Sequence, residues 1–313
     1  MQRTSRRTFI KTSAFSGLFF LFNPEGFERI ADNPFLADIG VCASLADHQL
    51  YKAAGCAYIE EGVSRFLAPE EPEEKFLDRL AGLKTSGLPV PACNGFLPGK
   101  LKAVGSEAKH AEILAYAETA FRRAARAGVR TIVWGSGESR KIPEGFPRDK
   151  AAEQFADLAR KTAELAARSK VTLALEPLNR GETNFINDLK EGSAIVETVA
   201  HPNFKLLADL YHVRKEGEPP AALEACGRHI HHCHIAEVEK RTPPGVAGDD
   251  FRPFLRALKN IRYAGGISFE CRWDDMARQL PKAVSFLKKQ IAEVASSYTL
   301  MPTFGQPNER RVT

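Results

Sequence analysis

Residues Val171–Glu182 read V-T-L-A-L-E-P-L-N-R-G-E, a β-branched and aliphatic run that ends on the carboxylate Glu176 and stops at Pro177. An acid at the exit of a short buried strand is how a parallel barrel presents chemistry at its C-terminal face. Three later stretches repeat the design: F-K-L-L-A-D-L-Y-H over Phe204–His212, I-H-H-C-H-I-A-E over Ile230–Glu237, and G-I-S-F-E over Gly266–Glu270. Each apolar run closes on a residue able to bind a metal, giving Glu176, Asp209, His234 and Glu270 at intervals of 33, 25 and 36 residues. Those intervals each fit one strand-plus-helix unit.

Working outward, the same alternation fills the chain. Strands are expected at 37–43, 56–60, 89–94, 131–134, 171–176, 204–209, 230–234 and 266–270. Helices are expected at 48–54, 76–84, 107–127, 150–169, 188–199, 220–226, 250–260 and 276–295, with Gly55 and Gly128 ending two of them. Eight strands alternating with eight helices predict a single-domain α/β fold, a closed (β/α)8 TIM barrel over 37–295. A doubly wound open sheet is the fallback.

The chain has 313 residues and a net charge of +5, four units of which come from Arg3, Arg6, Arg7 and Lys11. The remainder carries 40 basic and 39 acidic residues, so the barrel itself has no basic excess to bind nucleic acid. Ser5–Lys11 reads S-R-R-T-F-I-K and resembles a twin-arginine export signal; the apolar run behind it, Thr12–Phe22, is too short to span a bilayer. Residues 1–36 are therefore set aside as export signal and link, 296–313 as a tail, and the expected location is the periplasm. The six cysteines are scattered through apolar runs without a C-x-x-C pair. They read as small buried hydrophobes, not as a disulfide framework.

Two glutamates, one aspartate and one histidine form an oxygen-rich set that suits one divalent ion: Mn²⁺, Mg²⁺, Co²⁺ or Zn²⁺. A lone acid at a strand end is often only a cap or an ion-pair partner. Four ligand-type residues at four successive barrel exits make that bland reading weaker. His232 shares a strand face with His234, whereas His229 and His231 read as solvent-facing or packed residues. Candidate substrate walls are Asn94 with Phe96, Trp134–Glu138, and Arg272 with Trp273, each weighed evenly against plain rim packing. The pair Glu60–Glu61 after the second strand could reach the pocket but reads rather as solvated, and Gly135-x-Gly137 lacks the third glycine of a dinucleotide loop.

These motifs resemble the xylose-isomerase-like sugar phosphate isomerase/epimerase barrels, and within them the ketose 3-epimerases. The resemblance rests on E-P-L-N-R-G-E at Glu176–Glu182, D-L-Y-H at Asp209–His212, H-I-A-E at His234–Glu237, and Glu270. It implies Glu176, Asp209, His234 and Glu270 as metal ligands, Glu176 and Glu270 as the acid/base pair, and Glu182 and His212 as substrate contacts. It also implies an arginine six residues past the histidine, where this chain has Lys240 followed by Arg241. The expected activity is proton transfer beside a carbonyl through an enediolate, on a small carbohydrate or polyol. The alternatives are a lyase or dehydratase on the same scaffold, a non-catalytic carbohydrate-binding barrel, and an apurinic-site nuclease. Self-association into a homo-oligomer stays open.

Overall fold

Buried runs too short for helices, each set off by glycine, proline or polar residues, form the strands β1 Ile39–Cys42, β2 Tyr58–Gly62, β3 Ala92–Asn94, β4 Thr131–Trp134, β5 Thr172–Leu175, β6 Phe204–Asp209, β7 Ile230–Ile235 and β8 Ile267–Phe269. The computed structural model describes residues 37–296. The export-type segment and link at 1–36 lie outside the described residues, as does the tail beyond Ser296. Every strand pairs in parallel with its sequence neighbours, and β1 closes on β8 through Ile39–Ile267, Gly40–Ser268 and Val41–Phe269. The expected barrel is therefore observed.

The outer ring is built from α1 His48–Ala54, α2 Glu73–Ser86, α3 His110–Ala127, α4 Gly137–Arg140, α5 Arg148–Arg168, α6 Leu189–Val199, α7 Leu210–Lys215, α8 Pro220–Ala225, α9 Arg252–Asn260 and α10 Met276–Ser296. Two of these were not anticipated. The single turns α4 and α7 follow β4 and β6 directly, and they are too short to show apolar periodicity. Gly55 ends α1 in the left-handed region at φ 87°, as the sequence suggested. Apolar faces of the long helices pack on the outward residues of the strands, and this layer holds the main core, including Phe121, Phe155, Leu158 and Phe204. A second, small cluster of Val133, Ala174 and Leu207 is separate from it. These three alternate with the outward residues of β4 to β6, which puts them inside the barrel, below its C-terminal mouth.

The six cysteines are free thiols. No described helix is long and apolar enough to cross a membrane.

Candidate metal centre and active site

Strand alternation fixes which side chains meet. Ala174 and Glu176 are two apart, as are Leu207 and Asp209, and His232 and His234, so each pair shares the inward face. At the C-terminal mouth, one donor atom from each of Glu176, Asp209, His234 and Glu270 lies within 4.8 Å of the others. Nδ1 of His234 faces Oε1 of Glu176 at 3.4 Å and Oε2 of Glu270 at 3.2 Å. Yet Glu176 Oε1 and His234 Nδ1 are buried without a hydrogen-bond partner. Buried polar atoms are nearly always satisfied. Two that converge among carboxylates fit a hard cation, and the donor set matches the divalent ions named above.

The opposite edge of His234 is fully engaged. Its Nε2 meets Oε1 of Glu60 at 2.9 Å, and Oε2 of Glu60 accepts from Nε2 of His232 at 2.7 Å and Oγ of Ser268 at 2.7 Å. Glu60 is 0% exposed, so the expected solvated pair is wrong. β2 runs two residues further than anticipated, to Gly62, so both glutamates lie within the strand and point to opposite sides. Glu60 enters the barrel, while Glu61 turns outward to the Leu45 amide and Nε of Arg65. Burial alone would push the Glu60 carboxyl up; His234 and His232 outweigh it and hold the group well below the usual carboxylate range.

The carboxylates at the mouth titrate apart. Burial, reinforced by Glu270, pushes Glu176 up. Burial also pushes Asp209 up to about 6, against the opposing charge of Arg241. For Glu270 burial is outweighed by His234 and Arg241, and its carboxyl sits at about 2.

Arg241 resolves the ambiguity between two adjacent cations. Its Nη2 reaches Asp209 Oδ2 at 3.1 Å and bonds Oε2 of Glu270, its Nε donates to the Glu270 carbonyl at 3.0 Å, and its guanidinium lies over the Tyr211 ring at 4.7 Å. Lys240 instead leaves the site: its side chain is 82% exposed, with Glu239 3.7 Å away. Both residues have positive φ, 54° and 58°, which turns the chain so that only the second faces inward. The loop that presents them is tied down by Glu237, which accepts from the amides of Gly245, Gly248 and Asp249 and from the Thr242 hydroxyl.

The remaining expected contacts divide. Asn94 Nδ2 donates to Oε1 of Glu270 at 3.1 Å. Glu182 reaches the site through Asn179, whose Nδ2 donates to Oε1 of Glu182 at 3.0 Å and lies 2.8 Å from Nδ1 of His212. His212 is buried with Nε2 facing Oδ2 of Asp209 at 3.4 Å and no hydrogen-bond partner. Trp134 is not a substrate wall. It is 0% exposed and stands among Phe96, Phe155 and Phe204 at 4.9–6.4 Å, on the outer side of the barrel, because its inward neighbour is Val133. Phe96 belongs to the same stack. His231 is exposed, as expected, and also packed. A register shift between Leu206 and Leu207 makes it the extra residue of β7, and its Nε2 meets Thr131 Oγ1 at 3.2 Å.

Two features had no counterpart in the sequence reading. Arg140 is fully buried and donates to the carbonyls of Gly135 at 2.6 Å, Glu176 at 2.7 Å, Trp134 at 3.1 Å and Phe185 at 3.1 Å. It clamps the exits of β4 and β5 and so fixes the backbone of Glu176. Gly135 leaves room for that carboxylate: a Cβ there would fall 2.1 Å from Oε2 of Glu176.

Residues 49–290 match the profile described as the xylose isomerase-like TIM barrel. The chain belongs to this family. Among its relatives, the L-ribulose 3-epimerase of Methylomonas sp. (strain DH-1) is 37% identical over 131 residues, 42% of this chain and 45% of that protein. The 3-dehydro-D-guloside 4-epimerase of Escherichia coli (strain K12) is 28% identical over 217 residues, 66% and 82% respectively. The chain thus matches less than half the length of the first and most of the second. A solved 3-keto-D-glucoside 4-epimerase from E. coli, in its apo form, superposes with a TM-score of 0.70 at 22% identity, covering 81% of this chain and all of that one. At that identity the likeness speaks for the fold.

Proposed function

We propose that this member of the xylose isomerase-like barrels is a divalent-metal-dependent epimerase or isomerase acting on an unphosphorylated keto-sugar or keto-glycoside. The observation that carries the reading is the convergence of Glu176, Asp209, His234 and Glu270, with unpartnered donor atoms aimed at one another. These four residues would hold the ion, which when bound supplies charge stabilisation to a developing enediolate. Glu176 and Glu270 enter from strands on different sides of the mouth. They can take the proton beside the carbonyl from one face and return it on the other, which makes an epimer. Return to the neighbouring carbon makes an aldose–ketose isomer. Asn94 and Arg241 hold Glu270 from two directions, so its carboxylate is positioned before substrate arrives.

Glu182, His212 and Arg241 are the groups nearest that pair able to meet substrate hydroxyls. The charge of Arg241 is already matched by Asp209, Glu270 and, at 3.7 Å, Glu182. It therefore suits a neutral hydroxyl better than a phosphate. Export to the periplasm agrees with a free sugar or glycoside; that address rests on Ser5–Lys11 alone.

The test is a panel of keto-sugars and 3-keto-glycosides in heavy water with Mn²⁺ added. Deuterium gained at one carbon, with no loss of water or aglycone, and cut by about 10²–10⁴-fold in Glu176→Gln and Glu270→Gln, supports the reading. Elimination products would assign a lyase. Ion binding with no exchange on any substrate would leave a binding protein.

A further inference from the structure

Glu60 is a carboxyl group at 0% exposure inside the barrel, away from solvent, and it belongs to neither the four-residue cluster nor the substrate contacts. A carboxylate in such a place is strongly disfavoured unless both oxygens are hydrogen-bonded. Here both are, Oε1 by Nε2 of His234 and Oε2 by Nε2 of His232 and Oγ of Ser268, all at 2.7–2.9 Å; Ser268 is held in turn by the Tyr58 hydroxyl at 2.9 Å. The cluster of Glu60, His232 and His234 also has the composition of a metal site. The satisfied atoms distinguish the two readings. Among the described residues, the unpartnered atoms of His234 and Glu176 lie on the Nδ1 side of the imidazole, whereas neither Glu60 nor His232 leaves a buried polar atom without a partner.

We propose that Glu60 is a positioning residue for the metal centre: it accepts the Nε2 proton of His234, fixes the ring plane, and so leaves Nδ1 as the atom turned toward Glu176, Asp209 and Glu270. His232 and the Ser268–Tyr58 pair hold the carboxylate for that task. This rests on the reading of the four-residue cluster as a metal centre. A hydrogen bond from the far ring nitrogen to a carboxylate orients a ligating histidine and raises its donor strength. Loss of such a partner weakens metal binding by about 10- to 100-fold.

Calorimetric titration of Mn²⁺ into wild type, Glu60→Gln and Asp209→Asn separates the outcomes. The expected result is one ion per chain in wild type, about 10- to 100-fold weaker in Glu60→Gln at unchanged stoichiometry, and abolished in Asp209→Asn. No binding by wild type would reject the metal centre itself. Tight wild-type binding with Glu60→Gln within about twofold of it would reject only the role of Glu60. Two ions per chain, one of them lost in Glu60→Gln, would make Glu60 a ligand and overturn the proposal. A readout independent of any variant is the long-range ¹H–¹⁵N correlation spectrum of the Zn²⁺-loaded wild type. His234 should carry its proton on Nε2 with Nδ1 bound to the ion. The reverse assignment would also overturn it.

Discussion

Raising the pH should weaken the metal-free fold and strengthen metal binding in the same window. Asp209 is the reporter. Burial lifts its carboxyl from 3.8 to about 6, with Arg241 opposing and Glu270 adding to the lift. A carboxyl raised on folding keeps its proton more tightly in the folded chain than in the unfolded one. Its effect is absent below pH 3.8, grows between 3.8 and 6, and is complete above 6, where it amounts to about 3 kcal/mol against the metal-free fold. Glu270, held at about 2, acts in the other direction. Its stabilising contribution is present above its ordinary value of 4.5 and is lost as pH falls toward 2, so at pH 5–7 it is constant. An ion takes its ligands ionised. Below pH 6 each bound ion must displace the Asp209 proton, and the raised Glu176 adds to the release. Affinity should therefore climb about fivefold from pH 5 to pH 6 on Asp209 alone. It should keep rising above pH 7, because burial, which would lower His234, is outweighed by Glu60, and the imidazole proton must also leave. Calorimetry of Mn²⁺ binding in two buffers of different ionisation enthalpy reads both the affinity and the protons released; urea unfolding of the metal-free protein reads the opposing slope. An affinity constant within about twofold across pH 5–6, with no proton release, would refute the reasoning.

Glu176→Gln and Glu270→Gln should each cut solvent-proton exchange into substrate by about 10²–10⁴-fold, while thermal unfolding shows both still folded. Arg140→Met removes the donor to five carbonyls and should cost about 3–5 kcal/mol in urea unfolding; a loss under about 1 kcal/mol would sink its role as a clamp. Trp134→Ala should cost about 3–5 kcal/mol of stability, whereas Trp134→Phe should leave substrate KM unchanged, because the indole faces the helices. Arg241→Gln should raise KM and lower the stability of the metal-free protein, since Asp209 and Glu270 then repel without compensation. Lys240→Ala should be silent in both assays.

The four-residue cluster was legible in the sequence because it depends on strand phase at four consecutive exits. A ligand-type residue that ends an apolar run announces itself. Trp134 misled for the same reason: it ends β4, but it is out of phase with Val133, and a four-residue strand is too short to show which face is inward. Glu60 was hidden by Glu61, since two adjacent acids look like a solvated pair unless the strand is known to continue to Gly62. Choosing Arg241 over Lys240 required the two left-handed residues in the loop, which nothing in the local composition signals. Arg140 sits in a single turn without periodicity. Two of its partners, the carbonyls of Glu176 and Phe185, come from segments far along the chain that only the folded barrel brings to it.

The most direct measurement is anomalous diffraction from crystals of the protein loaded with Mn²⁺. One strong peak should stand among Glu176, Asp209, Glu270 and Nδ1 of His234, with Glu60 on the far side of the imidazole. A peak beside Glu60 and His232 instead, or none at the barrel mouth, would contradict the account.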